Sequence, residues 1–221
     1  MRKVVAAAFL SLDGVMQAPG GPEEDPDGDF TLGGWTFHHW DDVMGRAIDE
    51  AFGIPFDLLL GRKTYEIFAA HWPRVPADDP VGTLFNRVTK YVVTSSTAPL
   101  AWRNSVALRG DAAQAVAELK RHNGPDLLLQ GSSELVQTLL AHDLIDEFRL
   151  MTFPVVLGSG KRLFGRGAIP AGLKLVSSQV STTGVVMSSY VRSGEVTTGS
   201  FALAEPTEAE LSRRERMQGE K

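Results

Sequence analysis

Three apolar runs in this sequence open into small, hydroxylated or cationic residues. They are Leu58-Leu59-Leu60-Gly61-Arg62-Lys63-Thr64, Val92-Val93-Thr94-Ser95-Ser96 and Leu128-Leu129-Gln130-Gly131-Ser132-Ser133-Glu134. Each reads as a strand ending in a turn, and two of them start a helix directly. A helix N-terminus presents free backbone N–H groups and partial positive charge, and so binds phosphate. Glycine lets the phosphate approach the backbone. Arg62 and Lys63 add cationic donors, the arginine in the bidentate geometry that suits phosphate. Three such ends on neighbouring strands match a ligand with several phosphates, such as a dinucleotide, at the carboxyl ends of an open α/β sheet. The plainer alternative is that Gly and Ser after a strand are turn and cap residues.

The elements that must position these turns follow from hydrophobic periodicity. Val4–Leu10 reads as a buried strand. A glycine-rich loop over 17–34, with three prolines and five acids, is long for a compact domain and has the character of a lid or binding loop. Asp41–Phe52 reads as a helix, with Val43, Met44, Ala47, Ile48 and Ala51 on one face. Strands are expected at Asp57–Leu60, Tyr91–Thr94, Leu127–Gln130 and Glu147–Val156. Helices are expected from Tyr65 to about Ala70, over Ala112–Arg121 behind the N-cap Asp111, and over Glu134–Ala141. Leu173–Val180 and Gly184–Arg192 read as a terminal antiparallel hairpin. Strands separated by helices, then two adjacent strands, predict an α/β sheet that is parallel in the middle with an antiparallel edge. The stretch 195–221 differs in kind. Its Thr207-x-x-Glu210 capping-box pattern precedes a charged segment ending at Met217, expected to be mobile or peripherally docked.

Composition narrows the chemistry. At 221 residues, 43% hydrophobic and 22% charged, the chain is globular and long enough to bury a core. A net charge of −5 argues against a nucleic-acid partner, although the total conceals the local Arg62-Lys63 pair. There is no cysteine, which excludes disulfides, thiolate metal sites, Fe–S clusters and a cysteine nucleophile. No apolar run approaches the roughly 18 residues of a membrane span, so no membrane is expected. The start, MRKVVAAAFLSLDG, is basic and then apolar like a short signal peptide. Asp13-Gly14 stands where a small-residue cleavage site belongs, so the segment reads as a first strand and the protein as cytoplasmic.

Other motifs fail. Gly158-Ser159-Gly160 lacks the third glycine of a dinucleotide fingerprint, and Gly160-Lys161-Arg162 is not a P-loop. No GxSxG elbow occurs. Asp25, Asp27 and Asp29 mimic the start of a calcium loop, but Phe30 stands where glycine is required. His38-His39 beside Asp41 and Asp42 is not a metal pattern, since adjacent histidines point apart, and HExxH is absent. No metal is expected.

A longer pattern resembles a known family. It runs through Ser11-Leu12-Asp13-Gly14, Leu60-Gly61-Arg62-Lys63-Thr64-Tyr65-Glu66 and Gln130-Gly131-Ser132-Ser133-Glu134-Leu135. It continues through Asp146-Glu147-Phe148-Arg149 and from Phe153-Pro154 to Gly160-Lys161-Arg162-Leu163-Phe164. In order and spacing this resembles the dihydrofolate-reductase-like family, most closely stand-alone bacterial relatives of the riboflavin-biosynthetic deaminase-reductase's reductase domain. The likeness covers roughly residues 2–192. It implies an α/β fold with a mixed, mostly parallel central sheet flanked by helices and a C-terminal antiparallel hairpin. That domain is expected over 1–194, with a charged tail over 195–221 and without the deaminase half.

The resemblance also implies NADPH as hydride donor, a small pyrimidine- or pterin-like substrate and a homodimer. The activity would be like that of 5-amino-6-(5-phosphoribosylamino)uracil reductase. The alternative is a non-catalytic nucleotide-binding module that keeps the fold. Cofactor contacts are implied at Ala7, at Gly61, Arg62, Lys63 and Thr64 for the pyrophosphate and 2′-phosphate, and at Thr94 and Ser95 on the adenosine side. Gly131, Ser132, Ser133, Glu134 and Leu135 would meet the pyrophosphate or nicotinamide end. The family's riboflavin pattern has a lysine at about Ala7, so a pyrimidine ribosyl substrate lacks that support here.

The proton donor is left open. The family's dihydrofolate reductases carry a carboxylate on the first helix, for which Asp41, Asp42, Asp49 and Glu50 are candidates. Asp13 either orients substrate and takes part in catalysis or makes the Asp-Gly turn. Glu134 either contacts ligand or stands in a first helical turn. Trp35, Phe37, Trp40 and Trp72 either line the pocket or pack the core. The substrate-side candidates are therefore Asp13, Trp35, Asp42 and Glu134.

Overall fold

A computed structural model of the chain describes residues 1–165 and 168–219. Within them run the strands β1 (Val4–Ser11), β2 (Phe56–Gly61), β3 (Lys90–Val93), β4 (Ser105–Leu108), β5 (Asp126–Leu129), β6 (Glu147–Phe153), β7 (Leu173–Val180) and β8 (Val186–Arg192). They form one sheet in the order β4-β3-β2-β5-β1-β6-β8-β7. The first six pair in parallel, while β8 pairs antiparallel with β6 and with β7. This is the mixed sheet expected. All six residues of β2 are buried, as befits a parallel strand covered on both faces. β6 ends at Phe153 rather than Val156 because Pro154 has no N–H to continue the ladder.

Six α-helices are described: α1 (Asp42–Phe52), α2 (Arg62–His71), α3 (Pro80–Arg87), α4 (Ala112–Arg121), α5 (Ser133–Ala141) and α6 (Glu208–Gly219). Alternation along β1 divides the core. Val4, Ala6 and Leu10 pack with Val116 and Leu119 of α4 and Leu135, Val136 and Leu139 of α5. Val5 faces the other way, onto a cluster holding Tyr65 of α2 and Phe85 of α3. Met44 of α1 packs with Phe153 and Met187 farther along that second face. The α1 and α2–α3 clusters are separate, and the face between them carries the cleft described below.

Two elements were not anticipated. α3 follows Asp79-Pro80, a cap and a first-turn proline, and Asp79 accepts from the Gly82 amide at 2.7 Å. β4 is a short edge strand of half-exposed residues. Lys90 in β3 is fully buried, its Nζ donating to the Phe85 and Val88 carbonyls at 2.9 Å each and lying 4.3 Å from the Trp102 ring centre. It thus satisfies the carbonyl end of α3.

In the tail the Thr207 hydroxyl accepts from the Glu210 amide at 3.3 Å, the cap its pattern predicts. α6 buries no residue. Among the described residues no helix is long and apolar enough to cross a membrane.

Candidate active site

The site begins where two strand-to-helix turns interlock. The Gly61 amide donates to the Gly131 carbonyl at 3.0 Å, which ties the end of β2 to the end of β5. A Cβ on Gly61 would stand 2.3 Å from Ser132 Oγ, and one on Gly131 would stand 2.8 Å from Thr64 Oγ1. Both glycines are therefore required by close approach. Gly131 also has φ +118°, a left-handed value that L side chains rarely adopt. The turns bring the N-termini of α2 and α5 side by side.

These two N-termini differ from the rest. Asp41, Asp79 and Asp111 cap α1, α3 and α4 with side-chain hydrogen bonds. Gly61 and Ser132 make no side-chain cap for α2 and α5. First-turn N–H groups are thereby left for an external acceptor, and two converging helix dipoles favour an anionic one. The turn after β3 lies next to them. Arg62 Nη1 donates to the Ala98 carbonyl at 3.1 Å, and Arg109 Nη1 to the Ser96 carbonyl at 2.6 Å. Thr94 is buried, its Oγ1 accepting from the Ser96 amide at 3.0 Å, while Ser95 is exposed. The loop after β3 is thus held between two guanidinium groups.

A cleft of about 810 Å³ opens from these turns along the second face of the sheet. Val5, Ala7 and Phe9 of β1 form part of its floor, and Lys63, Thr64, Gly131, Ser132 and Ser133 part of its wall. α1 contributes Ala47, Ile48 and Ala51, and the 17–34 loop contributes Gln17 to Gly20, Glu24 and Asp25.

That loop is pinned by charge. Lys63 pairs with Asp25 at 3.0 Å and with Asp27, while Lys161 pairs with the same acids at 2.6 and 2.9 Å. Burial pushes the Asp25 carboxyl toward protonation, but hydrogen bonds from Lys161 and Lys63 outweigh it and hold the pKa below its usual value. The Lys63 and Lys161 bonds lower Asp27 to about 2. Asp25 and Asp27, two of the three acids that mimic a calcium loop, are thus satisfied by two ammonium groups. Glu24 behaves oppositely. Burial raises its pKa, although its Oε2 accepts from the Gly20 amide at 2.6 Å.

The remaining candidates fall in several places. Asp13 is absent from the cleft lining. Its carboxylate accepts from Ser11 Oγ at 2.7 Å, the Gly158 amide at 2.9 Å and Arg162 Nη2 at 3.2 Å. The Ser11 hydroxyl and the Leu157 and Gly158 amides hold it well below the usual carboxylate range, so Asp13 anchors the 157–162 loop as an anion. Glu134 and Asp42 are exposed and lie outside the cleft. Leu135 is buried in the core under α5. Trp35 donates to the Gln17 carbonyl at 2.8 Å and packs edge-on to Phe153, while Trp40 lines the cleft. Lys161, Glu24, Arg109, Gln130 and Arg149 were not singled out from sequence. Gln130, Lys161 and Arg149 stand inside the family-like pattern, but only the fold shows what they face.

Known proteins share this architecture. The sequence model of the RibD C-terminal domain matches residues 2–187. The uncharacterized protein YyaP of Bacillus subtilis (strain 168) is 29% identical over 195 residues, 86% of this chain and 94% of YyaP. A solved structure from Shewanella sp. PV-4, described as a riboflavin biosynthesis protein, is 19% identical with a TM-score of 0.59. The likeness covers 87% of this chain and 99% of that one. Dihydrofolate reductase from Enterococcus faecalis, solved with NADP(H) and RAB-propyl, is 16% identical with a TM-score of 0.53 over 86% of this chain and 96% of its own. At these identities the structural likenesses establish the fold.

Proposed function

The chain belongs to the RibD C-terminal domain family, and from that footing we propose that it is an NADPH-dependent reductase of a small heterocycle. The observation that carries this reading is the pair of uncapped helix N-termini locked together through Gly61 and Gly131 at the mouth of the cleft. The residues fit the cofactor. Two uncapped helix N-termini held side by side suit a pyrophosphate, and Arg62 and Arg109 supply charge on the adenosine side. The nicotinamide, when bound, supplies the hydride.

The chain's own residues orient and protonate. Small Ala7 leaves the floor open for a flat ring, and the cleft above it is not filled by side chains, which favours turnover over a fold kept only for binding. Glu24 lines the cleft and burial raises the pKa of its carboxyl, and so it is the proton donor in this reading. The homodimer is carried with the same proposal. β7 is exposed along its whole length at the edge of the sheet and is the surface it would use.

Two measurements test the assignment. NADPH fluorescence titration is expected to show saturable binding. Arg62→Ala should weaken NADPH by roughly 5- to 30-fold, the worth of a partly exposed charge-assisted contact, and leave NADH within about twofold. Equal affinity of both nucleotides for variant and parent would remove Arg62 from the site. The rate of NADPH oxidation should fall about tenfold per pH unit above the raised Glu24 pKa, because the proton donor is then lost. Glu24→Gln should lower the plateau and flatten that limb. A limb that persists unchanged in the variant assigns the proton to another group.

A further inference from the structure

The sheet register draws a polar row across the cleft floor. Ala7 is paired with Arg149, Arg149 with Ser189, and Ser189 with Ser177. Leu129 is paired with Ala6, which sets Gln130 beside Ala7. All five residues of the row Gln130–Ala7–Arg149–Ser189–Ser177 line the cleft. One row nearer the nucleotide turns, Phe9, Met151 and Met187 are apolar before the row ends at Gln179. A polar stripe beside apolar side chains on a half-buried floor is what a ligand with one charged substituent requires.

Arg149 is the centre of the stripe. Its Nε donates to Glu147 Oε1 at 2.7 Å. The guanidinium is half-buried, with 26% side-chain exposure, and the Glu147 side chain is 15% exposed. Among the described residues Nη1 and Nη2 have no hydrogen-bond partner, neither atom is sealed from solvent, and Arg149 lines the cleft. Glu147 therefore holds one edge of the fork and fixes its plane. The other edge presents two parallel N–H donors to the cleft, the geometry that takes an oxyanion bidentately. Serine hydroxyls from β8 and β7 stand next in the row. Ala7 lies one strand away, about 4.8 Å.

We propose that Arg149 is an oxyanion-binding residue and that the substrate is a planar ring bearing a carboxylate or phosphate close to it. The proposal rests on the reductase reading for its substrate, but the anion site is testable without turnover. Glu147 positions the guanidinium and competes with the ligand for it. The ring covers Ala7 and Gln130, and the anionic substituent lies toward Ser189.

The test is calorimetric titration of the full chain with benzoate, phenyl phosphate and neutral benzamide, each with and without NADPH. One of the two anions is expected to bind at least about tenfold more tightly than benzamide, and the stronger one identifies the oxyanion. Arg149→Gln should abolish that preference. Glu147→Gln should strengthen it several-fold, because a competing carboxylate is gone while the positive charge stays. A residue of purely structural importance would not give opposite signs in the two variants. NADPH affinity should be unchanged in Arg149→Gln. The proposal fails if the parent shows no preference for either anion, if Arg149→Gln retains it, or if Glu147→Gln weakens it. An anion preference in a chain that binds no NADPH would uphold Arg149 and overturn the reductase reading instead.

Discussion

Gly131→Ala is expected to cost about 2–5 kcal/mol, shared between folding and nucleotide binding. Two effects add. A methyl group at φ +118° sits in a region that disfavours L residues by about 1–2 kcal/mol. The new Cβ also meets Thr64 Oγ1 at 2.8 Å, and overpacking of this kind costs about 1–3 kcal/mol. If the turn keeps its shape, the free energy of unfolding falls by that amount. If the turn opens, α2 and α5 part, and NADPH affinity falls instead, by tenfold for about each 1.4 kcal/mol. Urea unfolding and a fluorescence titration on the same variant recover both shares. Adding Thr64→Ala removes the hydroxyl and should restore only the steric part, leaving the backbone part in place. A Gly131→Ala protein with unchanged midpoint and unchanged NADPH affinity would mean that the two turns are not interlocked in solution.

Those turns were legible in the sequence because their chemistry is local. A strand ending in Gly-Arg-Lys-Thr or Gly-Ser-Ser announces itself within seven residues. The sheet was legible for the same reason, through strands that are continuous apolar runs and helices with clear periodicity. α3 was missed although Asp79-Pro80 marks its start, because eight residues containing Pro80 and Gly82 give a weak helical pattern. β4 was missed as four half-exposed residues at an edge.

What sequence could not give is register. Ala7, Arg149, Ser189 and Ser177 meet only once β1, β6, β8 and β7 are paired, and a slip of one residue would turn Arg149 to the opposite face. The Asp25, Asp27, Lys63 and Lys161 cluster joins three distant segments in the same way. Conversely, Glu134 and Leu135 belong to the Gly-Ser-Ser motif by position alone. The turn of α5 sends the first to solvent and the second into the core.

Asp57→Ala should cost about 3–5 kcal/mol of stability, a large share of the roughly 5–15 kcal/mol that native proteins commonly have. Asp57 is the second residue of β2 and pairs with Arg2 Nη2 at 2.5 Å, where the Arg2 side chain is 2% exposed. Its other oxygen accepts from the Thr89 amide at 3.2 Å, and Arg2 stacks 5.2 Å from the Tyr91 ring centre. The pair therefore joins the N-terminal edges of the central strands. Removing the carboxylate leaves a buried guanidinium without its counter-ion, which is costlier than losing the contact itself. Replacing both partners, as in Arg2→Met with Asp57→Leu, should recover most of the loss, since neither buried charge remains. Urea midpoints for the single and double variants measure this directly, and a single variant within about 0.5 kcal/mol of the parent would show that the pair is not buried in solution. Nucleotide affinity measured well below the unfolding transition should be unchanged in both. The four residue steps from Asp57 to Gly61 span about 13 Å of strand. β2 thus carries stability at its first residues and the proposed cofactor turn at its last, and a substitution at one end need not disturb the other.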